Sequence, residues 1–159
     1  KASMKPNLPT ARLAFKDRKS FFLLKAVERE FPDTNDYWDG NWILFSVSLV
    51  MPGLSVELTD PCIRVDELES FLLELRSFAL GHLNAVESSF REPVVSIGVQ
   101  APEPGEQNLL ARIEINLFTD DGVAGTVAEM DLRQDSLDLF IRGIEDILRD
   151  YPVLARETH

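Results

Sequence analysis

Residues 31–42, FPDTNDYWDGNW, hold the chain's densest set of side chains that could do chemistry: Asp33, Asp36 and Asp39, Asn35 and Asn41, with Tyr37, Trp38 and Trp42 among them. Oxygen-rich loops of this kind can hold hard cations, and the calcium-binding loop is the template to test. Counted from Asp33, the third position is Asn35. The sixth, where a glycine must turn the chain, is Trp38, and the twelfth, where a glutamate closes the shell, is Leu44. The template fails and no metal is expected, although an irregular oxygen-ligand site stays open. A structural account covers more of the residues. Asp39-Gly40 is a favoured turn pair, Asp36 and Asn41 can hydrogen-bond nearby backbone, and the tryptophans supply apolar area. That account predicts a clasp between early strands, with Trp38 or Trp42 buried and Asp39-Gly40 turning the chain. Exposed, the same aromatic residues beside carboxylates would suit a protein-binding hot spot.

Elsewhere the means for catalysis are thin. His159 is the last residue and His82 follows Gly81, a helix-stop signal, so His82 suits the carbonyl end of a helix better than a catalytic triad. Cys62 is the one cysteine, which excludes an internal disulfide and a cysteine-based zinc site, and without a histidine partner it reads as a buried structural thiol. Neither a P-loop nor a GxGxxG pattern is present. Carboxylates are abundant, but a catalytic pair is defined by separation in space, not by sequence spacing. No catalytic residue and no cofactor is expected.

Charge narrows the partners. Lys and Arg number 16 against 27 Asp and Glu, a formal net charge of −11. Such a field repels phosphate backbones and anionic lipid, so direct binding of nucleic acid or membrane is not expected, whereas a basic protein would be steered in. Absence of a long apolar run or a secretory leader, together with a single cysteine, leads to the expectation of a cytoplasmic protein, with Lys1, Ala2 and Ser3 preceding a natural start at Met4.

The elements that must position these residues follow from periodicity. ARLAF and residues 21–31, FFLLKAVEREF, flank the polar KDRKS and predict a hairpin, with Leu23, Val27 and Phe31 on one face. WILFSVSLV puts Ile43, Phe45, Val47 and Leu49 on one side. A short strand over 54–59 leads through TDPC into a helix over 66–81, with Leu68, Phe71, Leu72, Leu75 and Ala79 on its apolar stripe, an Asp66/Glu69 capping box and Gly81 as its stop. NAVESSF and PVVSIGV read as strands, the latter alternating through Val95, Ile97 and Val99. APEPGEQN reads as a surface loop. LLARIEINLF alternates through Leu109, Ala111, Ile113, Ile115 and Leu117, and TDDG turns it into VAGTVAEMDL as a second hairpin. DSLDLFIRGIEDILRDYP closes as a helix capped by Asp135, with Leu137, Phe140, Ile141, Ile144, Leu148 and Tyr151 on one stripe. Strands in hairpin runs, interrupted by one helix and ended by another, predict an α+β fold: a largely antiparallel sheet with two amphipathic helices packed on its apolar face. At 159 residues the chain fits one domain, which would bury roughly 70% of its unfolded surface. The domain is expected over residues 11–152, between a flexible segment 1–10 and a tail 153–159.

The element DYWDGNW, residues 36–42 (Asp36, Tyr37, Trp38, Asp39, Gly40, Asn41, Trp42), resembles the signature of the WapI-like immunity proteins. TDPCIRVDELESFLLEL, residues 59–75, resembles the segment that follows it in that family, and the closing helix ends on a similar Tyr-Pro pair, Tyr151-Pro152. The resemblance implies a small bacterial cytoplasmic protein that neutralises a cognate toxin domain by occlusion and needs no catalytic residue; in the system that gives the family its name the toxin acts on tRNA. A net charge of −11 suits a basic toxin, a nuclease among them. The alternative is a small-molecule or metal-binding regulatory domain using Tyr37, Trp38 and Asp39.

Overall fold

The computed structural model describes residues 7–155, so the readings of Lys1 to Ser3, Met4 and His159 lie outside the described residues. The α+β class holds, but the strands form two antiparallel sheets of four. The first runs β1 (Thr10–Ala14), β2 (Phe21–Arg29), β3 (Trp42–Met51), β4 (Leu54–Arg64); the second runs β5 (Ala85–Glu87), β6 (Val95–Gln100), β7 (Leu110–Thr119), β8 (Gly122–Asp131). Three helices accompany them: the single turn α1 (Tyr37–Gly40), α2 (Val65–Ala79) and α3 (Ser136–Asp150). Every strand neighbours the next in sequence within its sheet, as short hairpin connections dictate.

The two sheets are stitched where β1 ends and β8 ends. Phe15 bridges Leu132, the Lys16 amide donates to the Asp131 carbonyl (2.8 Å), and the Arg133 amide donates to the Ala14 carbonyl (3.1 Å). The buried Ser136 hydroxyl accepts from the Ala14 amide at 2.7 Å, tying the start of α3 to the same junction. Farther along α3, Gly143 meets β1 backbone so closely that a Cβ there would lie 2.5 Å from the Ala11 Cα and from the Thr10 carbonyl oxygen. Phe140 tilts against Phe22 of β2, with ring centroids 6.5 Å apart.

The alternating segments bury the sides their patterns indicate. Ile43, Phe45, Val47 and Leu49 are fully buried, as are Ile97, Ala111, Ile113 and Ile115, while Val95 and Val99 are nearly so. β2 reverses the expected face: Phe22, Leu24 and Ala26 point inward, Leu23 and Val27 are half-buried, and Phe31 lies beyond the strand and is exposed. The run FFLLKAVER has apolar residues at both parities, so alternation alone could not choose, and the Phe22↔Leu49 and Leu24↔Val47 pairs set the face. β4 continues to Arg64, well past residue 59. Pro61 is tolerated there because β4 is an edge strand, and the register slips between Ile43 and Phe45 opposite it.

α2 starts one residue early, and its capping carboxylate is Glu67, which accepts from the Arg64 amide at 3.1 Å, in place of the Asp66/Glu69 box. Phe78 takes the buried position expected of Ala79. Gly81 ends the helix at φ +84°, with the His82 amide reaching back to the Ser77 carbonyl (2.9 Å). Asp135 precedes α3 but makes no side-chain cap, and Ile147 is the fully buried residue near its end while Leu148 is half-buried. Among the described residues no helix is long and apolar enough to cross a membrane.

Candidate functional site

DYWDGNW begins as one turn of helix, not a loop. Asp36 is extended and its carboxylate accepts from the Asp39 amide at 3.0 Å, while the Gly40 amide donates to the Asp36 carbonyl at 2.7 Å. Gly40 therefore does not turn the chain through a left-handed conformation. Its hydrogen side chain is needed for space: a Cβ would lie 2.5 Å from Leu154 Cδ1 and 3.1 Å from the Thr34 carbonyl oxygen. The expected burial of a tryptophan is also corrected. Trp38 is 46% exposed and Trp42 half-buried, while the buried members of the motif are Gly40 and Asn41.

What the motif holds is a cation that the sequence pattern did not single out. Arg64, at the junction of β4 and α2, is 2% exposed and pairs with Trp42 across the β3–β4 ladder. Its guanidinium carbon lies 4.9 Å from the Tyr37 ring centroid, 5.6 Å from that of Trp38 and 5.7 Å from that of Trp42. Its three nitrogens are all used: Nη1 donates to the Trp38 carbonyl, Nη2 to the Tyr37 carbonyl (2.9 Å), and Nε to Asp66 (2.9 Å). The other Asp66 oxygen accepts from the Tyr37 hydroxyl at 2.9 Å. The carbonyls at the end of a single helical turn have no intrahelical partner, and the planar guanidinium fork supplies one while its charge lies within cation–π reach of the three rings.

Asn41 performs the matching task on the other side. Its amide nitrogen donates to the carbonyls of Tyr37 (2.8 Å) and Leu154 (3.0 Å), and its oxygen accepts from the Leu154 amide (2.9 Å). Arg29 spans the same gap, donating to the Gly40 and Pro152 carbonyls at 2.7 Å each. A clasp is thus present, but it joins β3 to the start of α2 and to the segment after α3, beyond the early strands alone. The exposed Asp33, Asn35, Asp36 and Asp39 do not converge on Arg64. Among the described residues, no three His, Cys, Asp or Glu side chains are grouped so as to hold a metal ion.

The titratable groups nearby are set by burial. Cys62 is fully buried, which with Asp60 close by pushes its thiol pKa up to about 12. Burial raises the Asp60 carboxyl as well, and burial followed by the negative charges of Asp60 and Asp39 raises Glu30. A thiol so protonated is no nucleophile at neutral pH. His82 is exposed, apart from this cluster.

Arg64, Arg29 and Leu154 were the participants that sequence reasoning missed. The one available signal was chemical: three aromatic rings within a one-turn helix and its flank call for a cation, and Arg64 is the basic residue inside the resembling segment 59–75. No curated protein and no solved structure matches the chain. The family model described as the immunity protein WapI-like family matches residues 12–152, a span that includes the motif, Arg64 and the helices they connect. The chain belongs to the WapI-like immunity protein family.

Proposed function

We propose that this chain is a non-enzymatic binding module that neutralises a basic toxin domain by occluding the surface the toxin needs for its activity. The observation that carries the reading is the family match over residues 12–152. Family membership supports toxin neutralisation in general; the remainder rests on physical argument. The Tyr37 hydroxyl and the Asn41 amide of the motif are engaged in holding the fold, through Asp66 and Leu154. The net charge of −11 would accelerate encounter with a cationic partner, as a nuclease surface would be, in the bacterial cytoplasm. In this reading α2 and α3 cover the apolar sides of the sheets, and the outer sides remain for the partner. Residues 36–42 act mainly by shaping that body, with Trp38 the motif side chain that offers area to a partner.

The test is co-purification and inhibition with the toxin domain encoded beside this chain, at low and high salt. A stoichiometric complex that abolishes toxin activity, with association slowed by salt, is the expected result. Failure to bind at either salt concentration overturns the reading. Thermal stabilisation by a metal or metabolite in the absence of a protein partner would instead assign the Asp- and Trp-rich turn a ligand.

A further inference from the structure

The hairpin β7–β8 extends past the body of the molecule. Leu117 to Val123 are all exposed, as are Ala124, Gly125 and Val127, although the ladder is regular from Leu110↔Asp131 to Thr119↔Gly122. Apolar residues occupy both of its faces: Leu117 opposite Ala124 on one, Phe118 opposite Val123 with Val127 nearby on the other. Phe118, Val123 and Val127 are 54%, 61% and 51% exposed, on the side that in Arg112, Glu114 and Glu129 is polar. Along β1 the arm leaves from the Phe15 end, whereas the Arg64 clasp is near the strand ends at Arg29 and Trp42. The two features are separate.

β8 is also the outer strand of its sheet. The Leu132 amide donates inward to the Leu109 carbonyl and the Asp131 carbonyl accepts outward from Lys16, so by the two-residue repeat Glu129, Val127, Gly125 and Val123 aim their N–H and C=O groups outward. The first sheet uses this edge only through the Asp131 carbonyl and the Arg133 amide. Beyond them no strand pairs with it among the described residues. Proteins usually blunt such edges with charge, proline or shortness. β4 carries Glu57, Asp60 and Pro61, and β5 is three residues long, but GVAGTVA of β8 has seven residues without a charge or a proline.

We infer that the outward edge of β8, from Val123 to Glu129, docks an extended cationic strand of the toxin domain, adding it to the sheet where β1 stops. The inference rests on the proposed function for the identity of the partner. Charge selects that partner over a second copy. From Leu110 to Asp131 the hairpin carries Glu114, Asp120, Asp121, Glu129 and Asp131 against one cation, Arg112, which pairs with Glu114 and Glu129, so a self-paired edge would still gather net negative charge while a basic strand is attracted. Phe118, Val123 and Val127 then cover the partner's apolar side chains, and the outward amides give it main-chain hydrogen bonds.

Two variants test the edge: Val127→Pro, which deletes an outward N–H without taking one from the β7 ladder, and Val123→Lys, which places like charge beside the cationic strand. Each is compared with wild type for thermal stability, affinity for the toxin domain encoded beside this chain, and sedimentation. Expected are near-native stability and, in both variants, a loss of toxin affinity of about tenfold or more. Slowed amide exchange at Val123, Gly125 and Val127 in the wild-type complex supports the site independently, should Val127→Pro fail to fold. A complex of undiminished affinity in Val123→Lys, with unprotected edge amides, overturns the docking site and leaves the immunity reading standing. No complex with wild type overturns both. A wild-type dimer that Val127→Pro separates assigns the edge to a second copy and overturns the inference.

Discussion

Arg64 is a buried cation whose every nitrogen has a partner and whose neighbours depend on it. Truncation to alanine removes the Arg64 donor from the Trp38 carbonyl, leaves the Tyr37 carbonyl to Asn41 alone and deprives Asp66 of its counter-charge, so Arg64→Ala should lower unfolding free energy by about 3–5 kcal/mol. Arg64→Lys keeps the charge but cannot fork between two carbonyls and a carboxylate or hold a planar cation within reach of all three rings. A loss of about 2 kcal/mol is expected. Urea denaturation gives both values, and a lysine variant as stable as wild type would reduce the site to a point charge. The half-buried Trp42 should cost more than the more exposed Trp38 on replacement by alanine, about 1–3 kcal/mol against less than about 1. Cys62 supplies a separate check on burial. With its pKa raised to about 12, the native thiol should stay unmodified by iodoacetamide at about pH 8 and react once the chain is unfolded. The raised value also means that the folded protein favours the protonated thiol. That contribution is complete below the unfolded pKa and is lost as pH climbs toward 12.

At the scale of elements, α3 is held against β1 by the absence of a side chain. Replacing Gly143 by alanine gains about 1 kcal/mol of helix propensity but sets a methyl group within 2.5 Å of β1 backbone, which cannot swing aside as a side chain can. The net expectation for Gly143→Ala is destabilisation of about 1–3 kcal/mol in chemical denaturation. A stabilised variant would mean that α3 can lift from the strand. Elements with one apolar parity were legible from sequence, as β3, β6, β7 and both long helices show. β2 was not, because Phe21 to Leu24 are apolar at every position and only the pairing partner decides the inward set. α1 was hidden for a related reason. Its four residues are too few for a 3.6-residue period, and its carbonyls are capped by Arg64, 27 residues from Tyr37 and 26 from Trp38, and by Asn41, which is itself tied to Leu154, 113 residues on. The joining of the two sheets depends likewise on the Phe15↔Leu132 bridge between residues remote in sequence.

For the molecule as a whole, a net charge of −11 means that the folded state concentrates like charge, and acidification should first relieve it. Local structure adds to this trend at two groups. Glu30 and Asp60 have raised folded pKa values, so the native state binds protons more readily than the unfolded chain at these sites; their contribution favours folding at low pH and fades as pH rises through the folded pKa. Asp17 acts in the opposite sense. Hydrogen bonds from the Ser20 hydroxyl and from the Ser20 and Lys19 amides lower its pKa, so its contribution is present above the unfolded value and lost as pH falls through the folded one. The melting temperature should therefore rise as pH drops from about 7 into the range just above ordinary carboxylate titration, and fall on further acidification. Asp60→Asn separates the local part from the global one. If burial of the Asp60 carboxylate matters, the variant is more stable than wild type near neutral pH, and its advantage shrinks as wild type becomes protonated. If diffuse repulsion alone drives the trend, the variant gains only the small effect of one fewer surface charge and follows the wild-type curve in parallel. Melting curves across that pH range, repeated in high salt to screen the diffuse part, distinguish the two, because a desolvation penalty at Asp60 persists in salt while long-range repulsion does not.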